Sequence, residues 1–101
     1  MQAKIPQEAQ HYYTTKTFSA QSAPDALQQE HRTAEDVWGE LVVEQGEVVF
    51  ERLAEPRGSW RVTPEARWVI EPGVPHRVSP SPDALFHLEL YRTSDRNARG
   101  A

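Results

Sequence analysis

Between Val37 and Arg92 a turn signal interrupts the chain about every ten residues, and no other feature constrains the fold as much. The segments between the turns are short: VWGELVVE, EVVFERL, SWRVTP, RWVIEP, HRVSP and LFHLELYR. They are rich in Val, Trp, Phe and Ile, the side chains that suit a pleated, half-buried surface. The breaks are Gln45-Gly46, Glu55-Pro56-Arg57-Gly58, Pro72-Gly73 and Pro80-Ser81-Pro82, built from residues that preset φ or reach positive φ. Joints of this length leave no room for a helical crossover, so consecutive strands run antiparallel. The pattern predicts about six strands over residues 37–92 and an all-β sandwich or barrel. Gln45-Gly46 between two Val-rich runs reads as a hairpin turn. Ala26–Glu30 has room for one helical turn or an edge strand, and residues 21–25, with Pro24, read as a turn.

Alternation sorts the faces. Phe86, Leu88 and Leu90 share one side of the last run, and His87, Glu89 and Tyr91 share the other. In the first run Val37, Gly39, Leu41 and Val43 form the interior set, which places Glu40 outside and exposed. The three Trp residues are expected in the core or at an interface, and the Arg residues are scattered singly, as on a solvated surface.

A chain of 101 residues holds one domain. Residues 1–10 are polar and aperiodic and read as an N-terminal arm, residues 11–93 as the domain, and residues 94–101 as a polar tail. With 15 acidic and 11 basic residues and a net charge of −4, there is no basic stripe for nucleic acid. The longest apolar stretch is far below the roughly 20 residues needed to cross a bilayer, and the N-terminus has no signal-type apolar segment. Together these favour a cytoplasmic protein. The absence of Cys excludes disulfides and thiolate zinc sites. No phosphate-cradling Gly loop and no Ser-His-Asp order is present, which leaves enzymatic activity open.

The chemistry therefore falls to histidine and carboxylate. His76 follows Pro72-Gly73-Val74-Pro75, a rigid approach that fixes the start of a strand, and His31 precedes the first strong strand, at what the pattern makes the opposite rim. Pre-ordered imidazoles suit metal ligation. Glu89 would complete a two-His, one-carboxylate set that leaves positions open for water or substrate, and His87, on the same face, is the competing third ligand. His11 lies among polar residues and reads as solvated.

The order of these pieces resembles that of the TehB/YeaR-like small cupins, the tellurite-resistance-type cupin domains. The resemblance is carried by His31, Val37-Trp38-Gly39-Glu40-Leu41-Val42-Val43, Gly46, Ile70-Glu71-Pro72-Gly73-Val74-Pro75-His76-Arg77-Val78 and Phe86-His87-Leu88-Glu89-Leu90-Tyr91. It covers roughly residues 11–93. It implies a conical antiparallel barrel of the jelly-roll kind, with a pocket that holds a divalent metal, Zn or Fe, through His31, His76 and Glu89. It also implies a small-molecule ligand, a link to tellurite or oxyanion stress, and a homodimer. The chain departs from the general cupin signature in two places. It has a single His31 where a His-x-His pair is usual, and Gly39 stands nearest the usual Glu. A metal-free ligand-binding or dimeric stress-response module is the alternative.

Overall fold

The computed structural model describes residues 3–93; the expected tail at 94–101 lies outside them. Eight strands form in chain order: β1 (Gln10–Thr14), β2 (Phe18–Ser19), β3 (Val37–Gln45), β4 (Val48–Arg52), β5 (Gly58–Val62), β6 (Trp68–Ile70), β7 (His76–Pro80) and β8 (Leu85–Arg92). A 3₁₀ turn spans Asp25–Gln28, overlapping the Ala26–Glu30 segment where one helical turn was an option and beginning one residue earlier. β1 and β2, in a segment with no alternating apolar pattern, are held by pairing to β8.

The strands make two antiparallel sheets. One has the order β1-β8-β3-β6, with β2 also pairing to β8, and the other is β5-β4-β7. No strand pairing joins the two, so they face each other without closing into the expected barrel. Each inner face presents every second residue. Leu41, Val43, Ile70 and Phe86 from the first sheet meet Val48, Phe50, Val62 and Val78 from the second in one buried cluster. The interior set predicted for β3 is the one observed, since Val37, Gly39, Leu41 and Val43 are buried.

The expected hairpin at Gln45-Gly46 is not a hairpin. β3 pairs with β6 and β8, whereas β4 pairs with β5 and β7, so the turn carries the chain from one sheet to the other. Val43 and Val48 both point into the core, and a chain crossing between facing sheets satisfies both. Gly46 makes the crossing at φ 71°, and a Cβ there would lie 2.8 Å from both Asp83 Oδ1 and Ser81 Oγ. The true hairpin is β4–β5, in register from Val48↔Val62 to Arg52↔Gly58. Pairing is nested, with β3 on β8 outside β4 on β7.

Candidate functional site

At the end of the sandwich where β4 finishes and β5 and β7 begin, the edges of β5 and β6 leave a cavity of about 530 Å³. Alternation builds its walls. Trp60 is cross-strand from buried Phe50, and Trp68 from buried Leu41, so both indoles are delivered to the inner side. They stack across the gap between the sheets with centroids 4.9 Å apart and planes at 26°. Phe50 joins them at 6.4 and 6.1 Å. It also stacks on the His76 ring at 5.2 Å and 25°. Gly58 makes room for this arrangement. A Cβ there would lie 2.7 Å from Trp60 Cη2, so the indole lies over a residue with no side chain.

His76 is 2% exposed yet lines this cavity. The ring is fixed through Nδ1, which donates to the Val74 carbonyl at 3.0 Å, leaving Nε2 as the acceptor. Burial lowers its pKa, the Val74 bond opposes that, and nearby His31 lowers it further, so the neutral ring is favoured. His31 and His76 exchange both backbone hydrogen bonds at 2.7 Å, forming a one-residue bridge on the free side of β7. Their rings meet edge-on with centroids 5.5 Å apart. The two imidazoles are therefore neighbours and not residues of opposite rims. His31 Nδ1 is buried with no hydrogen-bond partner.

Glu89 and His87 lie elsewhere. Their strand mates Phe86 and Leu88 face the core, so both project from the outer face of the first sheet. There His87 is held between Glu44 at 2.6 Å and Glu89 at 3.0 Å. Glu40 and Glu89 sit directly cross-strand, a repulsive pairing. Arg67 bridges them at 3.1 and 3.5 Å, and His11 approaches Glu89 at 3.9 Å. Glu40 also accepts from the Tyr91 hydroxyl at 2.9 Å and is largely covered, not exposed as alternation alone suggested. Burial, followed by that carboxylate, pushes the Tyr91 pKa up to about 12. The expected set of His31, His76, Glu89 and His87 is thus divided, with His31 and His76 beside β7 of the second sheet and His87 and Glu89 on the outer face of the first. Among the described residues no group of three His, Asp or Glu is placed to hold a metal ion. For a two-His, one-carboxylate centre the described residues bring together the two imidazoles without a third ligand.

Arg52, Arg57 and the indole wall also line the cavity, with no motif in the sequence to mark them. Arg52 is not scattered surface: its guanidinium binds Glu71 at 2.8 Å, the Ala54 carbonyl at 3.2 Å and the Glu55 carbonyl at 3.3 Å. It fastens the loop that closes the cavity. The parity that puts Phe50 and Val62 inside also turns Arg52 and Trp60 toward that side, Trp60 remaining 37% exposed at the cavity, so alternation carried the signal. Among the described residues no helix is long and apolar enough to cross a membrane.

The chain is an all-β domain of two facing antiparallel sheets with an aromatic-lined cavity between them. The family model of the TehB-like domain matches residues 13–88, and the chain belongs to that family, which is associated with tellurite resistance. Two solved structures are similar. TehB from Haemophilus influenzae superposes with a TM-score of 0.78 at 28% identity over 85% of this chain, which corresponds to 32% of that chain's length. A protein from Escherichia coli strain K12 superposes with a TM-score of 0.83 at 20% identity over 92% of this chain and 99% of the other, a likeness of fold. No curated protein sequence matches the chain.

Proposed function

We propose that this domain binds a small organic molecule in the cavity between β5 and β6 and serves the tellurite or oxyanion stress response as a ligand-binding or sensing module. The observation that carries the reading is the cavity itself, about 530 Å³, walled by the stacked Trp60 and Trp68 rings and bearing His76 with an acceptor nitrogen. That volume is typical of small-molecule sites, which combine apolar walls with a few polar groups. A neutral imidazole accepts a hydrogen bond from a guest O–H or N–H at little desolvation cost. The nested pairs β3/β8 and β4/β7 support a cupin-type assignment, and a cytoplasmic location belongs to the same proposal.

The indoles report on their own site. Titrating a panel of small aromatic molecules, beginning with benzamide and benzoate, is expected to give saturable quenching of Trp emission and a rise in melting temperature. A ligand at 100 times its Kd stabilises by about 2.7 kcal/mol. Trp60→Ala is expected to weaken binding about tenfold, because stacking on one aromatic residue contributes about 1–3 kcal/mol. A panel that moves neither emission nor melting temperature would sink the proposal.

The buried, unpartnered His31 Nδ1 favours a second reading, a divalent cation held by His31 and His76 with water completing its shell. Under that reading, reconstitution with Zn²⁺ or Fe²⁺ followed by dialysis leaves close to one equivalent by elemental analysis. Retention of less than about a tenth of an equivalent rules it out.

A further inference from the structure

The cavity has a charge pattern as well as a shape. Two guanidinium groups and one carboxylate, those of Arg52, Arg57 and Glu71, line it. Arg52 is fully engaged by Glu71 and two loop carbonyls, and in that pair it neutralises Glu71. Arg57 forms no hydrogen bond or ion pair among the described residues, and it is exposed. One uncompensated positive charge therefore stands beside a continuous aromatic surface, in which ring contacts run from His76 through Phe50 to Trp68 and Trp60.

We propose that the cavity takes a small planar aromatic monoanion, its ring against the Trp60/Trp68 wall and its carboxylate on the Arg57 guanidinium. The inference rests on the reading that this cavity is a binding site, and it names the class of guest. A strongly hydrated inorganic oxyanion finds one free guanidinium here among the described residues, the Arg52–Glu71 pair being already neutralised and most of the remaining wall aromatic or aliphatic, a poor exchange for its water shell. An aromatic carboxylate leaves its charge at the wet rim and buries only its ring, and guanidinium matches carboxylate geometry through two parallel hydrogen bonds. Because Arg57 is solvent-exposed, the gain is modest and sensitive to salt.

The test compares four probes on the full chain by Trp emission and calorimetry: benzoate, benzamide, cyclohexanecarboxylate and sodium tellurite. Benzoate is expected to bind about fivefold tighter than benzamide at low salt, and tighter than cyclohexanecarboxylate and tellurite. Arg57→Gln is expected to remove the advantage over benzamide by weakening benzoate several-fold more than benzamide, and high sodium chloride should do the same to the wild type. If benzamide binds as well as benzoate and Arg57→Gln changes neither, the anion assignment is overturned while the cavity remains a binding site. If cyclohexanecarboxylate or tellurite matches benzoate, the aromatic assignment is overturned. If none of the four binds, the proposed function falls as well.

Discussion

His87, on the outer face of the first sheet, and His76, in the interior, have opposite responses to protonation. Burial works against charge on His87, but Glu89 and Glu44 outweigh it and raise its pKa. A raised folded pKa means that the stabilisation is complete below the ordinary histidine value near 6.5 and is lost as pH climbs through the folded value. The lowered pKa of His76 acts the other way, giving stability that is complete above the ordinary value and lost as pH falls. Comparing wild type with His87→Gln cancels the His76 contribution, which both proteins share. The wild type is expected to lead by about 1 kcal/mol near pH 6 and to lose that lead toward pH 8, read from urea midpoints at each pH. A difference that stays flat over this range contradicts the assignment. Glu44 and Glu89 are held below the usual carboxylate range chiefly by their hydrogen bonds to His87, so the same cluster weakens again in strong acid. Part of this was readable in the residues alone. Alternation put His87 and Glu89 on one face and opposite Phe86 and Leu88. What it could not supply was which face the two imidazoles of His31 and His76 would share, because that depends on a backbone bridge between residues 45 positions apart.

At the level of strands, β5 is positioned by what it lacks. Trp60 lies over Gly58, and a methyl group at that position must displace the ring. Gly58→Ala is expected to cost about 1–3 kcal/mol in stability, the usual range for an added methyl that forces its neighbours to move, and to disturb the Trp60–Trp68 stack. Near-UV circular dichroism is the measurement, and a spectrum identical to wild type would show that the indole does not depend on the glycine. Strand limits were largely legible. HRVSP and LFHLELYR coincide with β7 and β8, because proline and polar turns end them on both sides. The partner of β3 was not legible. A Gly-containing turn between two Val-rich runs is compatible with a hairpin and with a crossing between sheets. The choice is made by long-range pairing to β8, which local sequence does not encode.

For the molecule as a whole, one core serves both sheets. Phe86 and Leu41 are fully buried at its centre, on adjacent strands of the larger sheet and packed against the smaller one. Phe86→Ala is expected to cost about 3–5 kcal/mol. The loss should appear in a single transition by fluorescence and circular dichroism together, because neither sheet retains an apolar face to bury without the other. Two separated transitions would show that the sheets unfold independently. The all-β class and the single domain followed from the rhythm of turns. The open arrangement did not, because closure depends on whether edge strands pair, and β5 and β6 meet through indole rings instead of backbone hydrogen bonds.

β8 pairs with β1, β2 and β3, so the latest of the described strands organises the earliest. During synthesis β1 and β2 leave the ribosome long before the one strand they pair with. That edge of the larger sheet cannot pair until Leu85–Arg92 emerges. Topologies of this kind fold slowly, on the millisecond-to-second scale, because distant segments must meet before any contact offsets the lost chain entropy. The interval before that last strand appears is when the nascent protein is most exposed to aggregation and to chaperone capture.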